Sequence, residues 1–374
     1  MTYLLLNYEF PPVGGGAATA SKSLGAALSR RGNRVVVLTS AYKGLSEVSE
    51  EEGMTVIRLP ALRTSIHRSG IMQMTAYILS GSQRAPSVAK QYEVDRCIAF
   101  FSVPGGVVAR WLQFRRSIPY AISLRGGDVP GTEPGLQLFY KMLTGLRWNI
   151  LRHAHSISAP SIGLKQLSER ADPFAVQVIP NGVDCEYFKP VEDSRPPSLI
   201  LLSVGRLHRQ KNVHRMLEIV RAIRDQSGIA ATARVIGDGP ERQTLEKFAR
   251  RLNLGDAVSF EGWLSRSDAA AAYRSATVLV QLSNYEGMSN TILEALASGL
   301  PVVASRVPGS IELIEPEENG LLFDLDDKVS KIAAEVVRLY QNPELWNRMS
   351  DQAREQIKAK YSWDRVAEMY ENFF

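Results

Sequence analysis

The chain has 374 residues, of which 45% are apolar and 22% charged, so its composition is that of an ordinary globular protein and its length suits two domains. Two cysteines, Cys97 and Cys185, are too few for a disulfide-stapled secreted scaffold, and no apolar run approaches the roughly 20 residues of a membrane-spanning helix. Because the first residues also lack the basic start of a signal peptide, we expect a cytoplasmic protein.

The net charge of +5 is divided unevenly along the chain. Residues 1–190 hold 21 lysines and arginines against 13 acidic residues, whereas residues 191–374 hold 23 against 26. A basic half indicates an anionic partner, such as a phosphorylated substrate or an anionic membrane face, although an ordinary solvated surface can have the same balance. No nucleic-acid-binding module is recognisable, so nucleic acid is not expected as a partner.

Short apolar runs alternate with amphipathic segments along the whole chain. Strands are predicted in the first half at Tyr3–Asn7, Val35–Leu38, Thr55–Arg58, Cys97–Phe101, Tyr120–Leu124, Ser156–Ala159 and Val176–Ile179. In the second half they are predicted at Leu199–Val204, Ala233–Ile236, Val258–Glu261, Thr277–Gln281, Pro301–Ser305 and Gly320–Phe323. Continuous apolar strands separated by helices indicate parallel sheets covered on both faces, so the fold class is α/β with two doubly wound, Rossmann-like domains.

A stretch rich in proline and charge, residues 180–197, lies between the two sets of strands. We interpret it as the linker between a first domain of residues 1–190 and a second domain of residues 191–355. The cleft between two such domains is the expected place for a ligand.

The first motif, Gly14-Gly15-Gly16, follows a predicted strand and precedes a predicted helix. Glycines there let the backbone approach an anion, which the N–H groups of the helix N-terminus attract. The pattern departs from the dinucleotide-binding fingerprint, because Thr19 stands where that fingerprint has its third glycine. A nicotinamide or flavin cofactor is therefore disfavoured, and both a phosphate-approach loop and a tight turn without a ligand remain open.

A basic turn follows the first strand of the second half. Arg206 and Lys211 flank this turn, and the side chain of Asn212 is predicted to cap the next helix. Because open α/β sheets bind ligands beyond the carboxyl ends of their strands, the two cations suit the charge that develops on a departing diphosphate. A solvated basic loop is the alternative interpretation.

The most specific motif runs from Glu286 to Glu294. Glu286 lies in a turn after a strand, and Ser289 is predicted to open the helix that carries Glu294. Two carboxylates at the ends of such a segment can hold hydroxyls on two parts of one ligand, while backbone N–H groups of residues 287–290 meet its phosphate. Two unrelated surface glutamates are the alternative.

Together these motifs resemble the retaining nucleotide-sugar glycosyltransferases of glycosyltransferase family 4, which have the GT-B fold of two Rossmann-like domains facing each other across a cleft. The segment from Glu286 to Glu294 resembles that family's two-glutamate signature. The other matching segments, in family order, are Gly15-Gly16, Pro180–Asp184, Gly205-Arg206 with Lys211, Gly237–Pro240, Glu261–Leu264 and Gly299–Val303. The match extends from about residue 11 to Gly320 and thus covers most of the chain.

The resemblance implies a role for each matching position. Glu294 would hold the ribose hydroxyls of the nucleotide, and Glu286 would face the donor sugar. The backbone N–H groups of Gly287, Met288, Ser289 and Asn290 would lie beside that sugar. Arg206 and Lys211 would carry the diphosphate.

The resemblance extends these roles to both domains. Gly15 and Gly16 would approach the donor from the first domain, and the nucleotide base would lie near Gly237 and Leu264. Residues 356–374 would cross back as a helix onto the first domain.

One position departs from the family pattern. Many members carry a histidine ahead of a Gly-x-Asp sequence near the sugar, whereas this chain has Arg125 ahead of Asp128. An arginine cannot act as a base, because its pKa stays above about 12. Both residues stay candidates for substrate binding, and no imidazole stands at this place.

The implied chemistry tolerates the missing base. In front-face attack the leaving phosphate oxygen accepts the acceptor's proton, so the protein supplies positioning and charge stabilisation. No carboxylate stands out as a nucleophile, which disfavours double displacement. We expect neither a cofactor nor a metal, and interpret the pair Asp324 and Asp326, which follows a predicted strand, as a solvated turn.

Basic and aromatic residues cluster in three segments of the first half: Leu62–Leu79, Trp111–Arg116 and Phe139–Arg152. Such amphipathic segments can lie on anionic membrane surfaces, and helices packed on a sheet have a similar pattern. A glycan or lipid-linked acceptor on the first domain, and a peripheral position on the inner face of the cytoplasmic membrane, are the corresponding expectations.

The sequence therefore predicts a retaining glycosyltransferase that moves a sugar from a nucleotide-diphosphate sugar to a hydroxyl acceptor, in surface or lipid-linked glycan biosynthesis. Two alternatives remain: a nucleotide-sugar epimerase of the same fold, and a catalytically silent sugar-nucleotide-binding protein. Turnover without an acceptor would identify the epimerase, and binding without turnover would identify the silent protein.

Overall fold

The structure is a computed structural model that describes residues 1–66, 69–132, 135, 137–191 and 195–374 and, for Phe139, the backbone alone. The chain forms two α/β units. The first comprises Met1–Gly182 and Trp363–Phe374, and the second comprises Val183–Ser362. Each unit has its own parallel-stranded sheet with buried apolar residues packed on it, which confirms the predicted pair of Rossmann-like domains.

The first unit is built on eight strands. They are β1 (Thr2–Leu6), β2 (Arg34–Ser40), β3 (Val48–Glu51), β4 (Met54–Leu59), β5 (Arg96–Phe100), β6 (Tyr120–Ser123), β7 (Ser156–Ala159) and β8 (Gln177–Val178). Their order in the sheet is β3-β4-β2-β1-β5-β6-β7-β8, and every pair is parallel except β3 with β4. The interior strands coincide with the predicted apolar runs, because a parallel strand is covered on both faces.

Strand β3 is not predicted from the sequence. Its residues, Val-Ser-Glu-Glu, alternate between exposed and half-buried positions and pair antiparallel with β4 at the edge of the sheet. An edge strand with one solvated face has no continuous apolar run to reveal it.

The helices of the first unit begin with α1 (Gly16–Arg30), α2 (Ile71–Gln91), α3 (Gly106–Arg116), α4 (Gln137–Met142), α5 (Thr144–His153) and α6 (Ile162–Ala171). Helix α3 packs against both α2 and α5, and α4 packs against α5. Among the described residues, none of the helices combines the length and the apolar character that crossing a bilayer requires.

The second unit is built on six parallel strands in the order β11-β10-β9-β12-β13-β14. The strands are β9 (Ile200–Val204), β10 (Thr232–Ile236), β11 (Val258–Gly262), β12 (Val278–Gln281), β13 (Val302–Ser305) and β14 (Gly320–Phe323). Its helices are α7 (Val213–Ser227), α8 (Arg242–Arg251), α9 (Arg266–Ser275), α10 (Asn290–Ala297), α11 (Pro308–Ile311), α12 (Val329–Gln341) and α13 (Pro343–Lys360).

The closing helix α14 (Trp363–Glu371) belongs to the first unit, where it packs against α1. Its charged face pairs with that helix, since Arg30 NH2 lies 3.0 Å from the Asp364 carboxylate. On its buried face the Tyr370 hydroxyl lies 2.7 Å from Ser123 Oγ, at the carboxyl end of β6. The C-terminal helix thus completes the first domain.

The chain leaves the first unit after Gly182 and returns to it at Trp363. A Cβ atom on Gly182 would lie 2.5 Å from Cδ2 of the Trp363 indole, and Val183 N donates to the Tyr361 carbonyl at 2.8 Å. The first boundary therefore falls at residue 182 rather than at 190. The boundary between the second unit and the closing helix falls at residue 363 rather than at 356, because α13 continues through Lys360 within the second unit.

Candidate functional site

The second unit has a topological switch point between the neighbouring strands β9 and β12. From β9 the chain proceeds to β10 on one side, and from β12 it proceeds to β13 on the other. Ligands of open α/β sheets bind beyond the carboxyl ends of the strands at such a point. The loop after β9 carries Gly205, Arg206 and Lys211, and the loop after β12 carries Glu286, so the structure brings these predicted residues to one edge of the sheet.

The loops after β9 and β10 lie so close together that only glycine fits. A Cβ atom on Gly237, whose φ is +122°, would lie 1.9 Å from the Gly205 carbonyl oxygen. A Cβ atom on Gly239 would lie 2.3 Å from the carbonyl oxygen of Leu207. A ligand that reaches this edge would therefore meet main-chain atoms of these loops.

The loop after β11 joins the same edge. The backbone N of Gly237 donates to the Gly262 carbonyl at 2.7 Å. Leu264 follows two residues later and is half-buried against the core of the second unit, whereas the Trp263 side chain is exposed. Gly237 and Leu264, predicted to lie near the base, thus belong to neighbouring loops.

Backbone and side-chain hydrogen bonds join the loop after β9 to the loop after β12. Gln210 Nε2 donates to the Tyr285 carbonyl at 2.8 Å, and Asn284 N donates to the Gln210 carbonyl at 2.8 Å. Lys211 Nζ lies 2.6 Å from Glu286 Oε1, with side-chain exposures of 20% and 8%. The predicted diphosphate cation and the predicted sugar-facing carboxylate therefore form a partly buried ion pair.

Arg206 has a different environment. Its side chain is exposed and forms no hydrogen bond or ion pair with any residue that the structure describes. Of the two cations predicted to bind the diphosphate, Arg206 therefore has no counter-charge among the described residues, whereas Lys211 forms an ion pair with Glu286. An anion at this edge would gain a charge-assisted hydrogen bond from Arg206 without breaking an existing one.

The turn at Glu286 rests on a glycine of helix α11. A Cβ atom on Gly309 would lie 2.6 Å from the Gly287 carbonyl oxygen and 2.9 Å from Glu286 Cβ. Gly287 itself faces open space, with no atom within 4 Å of the place where its Cβ would be. The sequence analysis does not identify Gly309, because its role depends on contact with a distant loop.

Helix α10 begins as predicted. Ser289 is its N-cap and accepts a hydrogen bond from Ile292 N at 3.3 Å, while Gln281 Nε2 of β12 donates to Ser289 Oγ at 2.7 Å. Met288 is half-buried against the core, and Asn290 is the first helical residue. The N-terminus of α10 thus follows directly after Glu286.

Glu294 lies in the middle of α10 and is half-buried. The hydroxyl of Tyr273, on α9, donates to Glu294 Oε2 at 2.8 Å. Burial raises the pKa of Glu294 above its ordinary value, and the hydrogen bond from Tyr273 and the charge of Arg266 oppose this rise. Tyr273 is not identified from the sequence, where a tyrosine in an amphipathic helix is indistinguishable from an ordinary core residue.

The prediction for Asn212 is wrong. Asn212 does precede α7, but its side chain makes no capping hydrogen bond, and its amide lies 3.5 Å from Asn284 Oδ1. Its φ of 52° and ψ of 37° are left-handed, whereas a side-chain N-cap needs an extended backbone. Asn212 instead ends the short helical turn Arg209–Lys211.

In the first unit, the glycine motif combines a tight turn with an accessible helix N-terminus, at Gly14, Gly15 and Gly16. Gly14 has a φ of +105° and donates from N to the Ile66 carbonyl at 2.8 Å, and a Cβ atom there would lie 2.7 Å from Glu9 Cβ. Gly15 is the N-cap of α1 and Gly16 its first residue, and both are exposed. Gly14 thus forms the tight turn, and Gly15 and Gly16 leave the helix N-terminus accessible.

Arg125 and Asp128 form part of the loop after β6. The Asp128 carboxylate accepts hydrogen bonds from Ser102 N at 2.6 Å and Arg125 N at 2.9 Å, and its burial raises its pKa. The Arg125 guanidinium donates to Asn181 Oδ1 at 2.6 Å and stacks on the Phe100 ring, with its carbon 4.6 Å from the ring centroid. Burial lowers the pKa of Arg125. Asp128 therefore holds the loops after β5 and β6 together, and Arg125 contacts the segment where the chain leaves this unit.

The pair Asp324 and Asp326 lies in an exposed turn after β14, as predicted. Asp324 forms a 3.2 Å ion pair with Arg306. In the described part of the chain, no group of three histidine, cysteine, aspartate or glutamate residues is arranged to hold a metal ion.

Two family models match successive parts of this chain. The family model for Glycosyltransferase Family 4 matches residues 14–187, and that for Glycosyl transferases group 1 matches residues 186–356. The N-acetyl-alpha-D-glucosaminyl L-malate synthase of Bacillus anthracis is 21% identical, over 98% of this chain and 94% of its own length. The alpha-monoglucosyldiacylglycerol synthase of Streptococcus pneumoniae is 24% identical, over 98% of this chain and 84% of its own length.

Solved structures share the fold. The Anabaena protein HepE, crystallised in complex with UDP and glucose, superposes with a TM-score of 0.75 over 100% of this chain and 98% of its own, at 19% identity. At this identity the likeness shows the fold alone, the GT-B arrangement of two Rossmann-like domains. Because the two family models together extend from residue 14 to residue 356, this chain is a glycosyltransferase that belongs to the group 1 enzymes of glycosyltransferase family 4.

Proposed function

We propose that this chain transfers a sugar from a nucleotide-diphosphate sugar to a hydroxyl of a glycan or lipid-linked acceptor, with retention of configuration at the anomeric carbon. The observation that carries the proposal is the group of charged residues at the switch point of the second unit. Arg206 and Lys211 lie on one loop, Glu286 on the next, and Glu294 in the helix that follows. The pneumococcal relative named for a glycolipid product, and the Anabaena structure with UDP and glucose, support the donor and acceptor classes.

Donor binding follows from the chemistry of these groups. Arg206 and Lys211 bind the two phosphates, and Glu294 accepts hydrogen bonds from the ribose hydroxyls. The ammonium group of Lys211 has three N–H donors, so it can bind a phosphate oxygen and keep Glu286 as a partner. The N-terminus of α10, beside Glu286 in the chain, adds its positive end to the charges that offset the diphosphate.

The transfer step itself requires little proton chemistry from the protein. The acceptor hydroxyl attacks the anomeric carbon on the face from which the diphosphate departs. As the new glycosidic bond forms, the bond to the diphosphate oxygen breaks, and that oxygen takes the acceptor's proton. Arg206 and Lys211 stabilise the charge on the leaving group, so neither Arg125 nor any other residue has to act as a base, and no cofactor or metal takes part.

The proposed acceptor class is supported by an acid-free helical surface on the first unit. Helices α2, α3, α4 and α5 contain eight lysine and arginine residues and no aspartate or glutamate. One of the eight, Arg147, is buried in an ion pair with Asp172, and the other seven are exposed or half-buried. Large apolar side chains on these helices are exposed: Ile71, Met72, Leu79, Trp111, Phe114, Leu138, Met142, Leu146 and Trp148. His67 and Arg68, part of the predicted basic segment Leu62–Leu79, lie outside the described residues.

We propose that this surface, the α2–α5 face, lies on the anionic inner leaflet of the cytoplasmic membrane. Exposed apolar side chains beside unpaired basic groups can enter the interface between headgroups and acyl chains, while the cations attract anionic lipids. Arg115 and Arg116 at the end of α3 are exposed next to Trp111 and Phe114, whose rings lie 5.9 Å apart. A peripheral position would give the first unit access to a lipid-linked acceptor.

A thermal-shift screen with nucleoside diphosphates and their sugars, with and without a chelator, tests donor binding. A ligand at 100 times its Kd stabilises the folded state by about 2.7 kcal/mol, a shift that is readily measured. We expect the nucleotides of one base to raise the melting temperature by the same amount with and without the chelator. We expect Glu294→Ala to lose this shift. NMR of the product then tests retention: an α-linked donor has to give an α-linked product, and a β-linked product would contradict the proposal. The absence of a shift with every nucleotide would contradict the donor site.

A further inference from the structure

The carboxylate of Glu294 is held by a single buried tyrosine. Tyr273 is 1% exposed, and its hydroxyl donates to Glu294 Oε2 at 2.8 Å. Among the residues that the structure describes, no other hydrogen bond reaches this carboxylate. Because Glu294 is itself half-buried rather than buried, its other oxygen, Oε1, is left to accept hydrogen bonds from a ligand.

We infer that Tyr273 is a positioning residue for the donor nucleotide, which fixes the Glu294 carboxylate so that Oε1 is presented to the ribose hydroxyls. The inference rests on the proposed function, in which Glu294 binds the ribose. A free glutamate side chain has several rotamers, and a bound nucleotide would have to select one of them. A hydrogen bond that fixes the rotamer before the nucleotide arrives reduces the side-chain conformational entropy that is lost on binding.

The tyrosine is itself fixed by packing. Its ring meets that of Phe188 edge to face at 5.9 Å, within the core of the second unit. Arg266, on the same helix α9, stacks on the Tyr187 ring at 4.1 Å and forms a 3.1 Å ion pair with Asp184. The Tyr273 ring is therefore packed on the core side, and its hydroxyl is directed at Glu294.

The direction of the hydrogen bond is also fixed. Burial, together with the nearby negative charge of Glu294, raises the pKa of Tyr273 well above its ordinary value. The raised pKa favours the protonated phenol, which can donate its proton in the hydrogen bond to the ionised carboxylate. With Oε2 occupied in this way, Oε1 is the oxygen that can accept from the ribose.

Tyr273→Phe removes the hydroxyl and keeps the ring, and Tyr340→Phe is the matched control. Tyr340 lies on α12 of the same unit, and its hydroxyl donates to the Pro197 carbonyl at 2.8 Å rather than to a residue of the candidate site. Both variants and the unaltered protein are titrated calorimetrically with UDP, GDP and ADP, and with the 2′,3′-dideoxy form of each. The dideoxy nucleotides keep the base and the diphosphate and lack the hydroxyls that Glu294 would bind.

We expect the unaltered protein to bind one nucleoside diphosphate, and to bind its dideoxy form at least about tenfold more weakly, the size of one hydrogen bond to a charged group. Tyr273→Phe should weaken binding of the hydroxylated nucleotide by about fivefold to tenfold and leave binding of the dideoxy form unchanged. Tyr340→Phe should change neither. If Tyr273 had only a structural role, Tyr273→Phe would weaken binding of the hydroxylated and the dideoxy nucleotide equally.

The possible failures differ in what they overturn. If Tyr273→Phe binds both forms like the unaltered protein while Glu294→Gln loses the preference for the ribose hydroxyls, the positioning role is wrong and the ribose site stands. Equal weakening of both forms in Tyr273→Phe also overturns the positioning role alone. If the unaltered protein does not distinguish hydroxylated from dideoxy nucleotides, Glu294 does not bind the ribose, and both the proposed site and this inference are wrong.

Discussion

The Nζ atom of Lys211 lies 2.6 Å from Oε1 of Glu286, whose side chain is only 8% exposed. The cation proposed to bind the diphosphate is therefore already paired with the carboxylate proposed to face the sugar. Removing one partner leaves the other partly buried without its counter-charge, which destabilises a protein more than the loss of an exposed ion pair. Lys211 thus contributes to folding as well as to the proposed transfer.

Lys211→Ala should lower the transfer rate by about a hundredfold, the effect of losing one group that stabilises transition-state charge. It should also reduce the free energy of unfolding by about 1–2 kcal/mol, less than for a fully buried pair because Lys211 is partly exposed. Steady-state kinetics and urea denaturation measure the two effects. The double variant Lys211→Ala, Glu286→Gln removes the orphaned charge, so it should recover stability without recovering rate. An equally unstable double variant would contradict the ion-pair explanation.

Arg206→Ala should separate rate from stability. Because Arg206 is exposed and bonds to no described residue, its loss should change the free energy of unfolding by less than about 0.5 kcal/mol. The transfer rate should nevertheless fall by about a hundredfold. Arg209→Ala is the control, since Arg209 is an 87% exposed arginine on the same loop, and its rate should stay near normal. Near-normal rates in Arg206→Ala would show that this residue does not carry the diphosphate.

Much of the framework was accessible from the sequence because its signals are local. The apolar run of β9, the N-cap Ser289 and the spacing of Glu286 and Glu294 each depend on residues that are close together in the chain. Burial of parallel strands on both faces produces runs that a sequence displays directly. The same locality explains why the two-glutamate segment could be assigned to a loop and the helix after it.

What the sequence did not reveal depends on contacts between distant segments. Tyr273 becomes significant only because α9 packs beside α10, and Gly309 only because α11 meets the Glu286 turn. Asn212 has a residue type typical of N-caps, yet its backbone is left-handed, a conformation that asparagine tolerates better than most residues. In the first two cases the signal is a tertiary contact that no local pattern displays.

Gly237→Ala should destabilise the second unit severely. The new methyl group would lie 1.9 Å from the Gly205 carbonyl oxygen, at a φ of +122° that side chains rarely adopt. Overlap and backbone strain together should cost about 3 kcal/mol or more. Gly287→Ala is the matched control, because nothing lies within 4 Å of its added methyl group, and should cost less than about 0.5 kcal/mol. Denaturation of both variants measures the difference, and equal stabilities would refute the close packing of these loops.

Glu294→Gln should make the ligand-free protein more stable at neutral pH. Burial raises the pKa of Glu294 in the folded protein above its ordinary value of 4.5, so ionising it opposes folding. The protonated carboxyl group of Glu294 stabilises the folded protein to its full extent below pH 4.5. This stabilisation is lost as the pH rises through the pKa that Glu294 has in the folded protein. Glutamine cannot ionise and can still accept from Tyr273, so its advantage should appear near pH 7 and vanish towards pH 4.5. Denaturation of both proteins between pH 4.5 and pH 7 measures this advantage. If the stability of Glu294→Gln relative to the unaltered protein falls as the pH rises from 4.5 to 7, the prediction is wrong.

The α2–α5 face should bind anionic vesicles through both its charges and its apolar side chains. Arg116→Glu should weaken co-sedimentation with vesicles of phosphatidylglycerol and phosphatidylcholine by about thirtyfold. Each basic residue near such a surface is worth about 1 kcal/mol, and reversing the charge doubles this to about 2 kcal/mol. Phe114→Ser should weaken binding even at high salt, because the Phe114 side chain is 70% exposed and its burial in lipid does not depend on screening. Arg250→Glu, which reverses an exposed charge on α8 of the second unit, is the control and should bind normally. If Arg116→Glu and Arg250→Glu bind alike, the attraction is a general effect of net charge, and the α2–α5 face is not the docking surface.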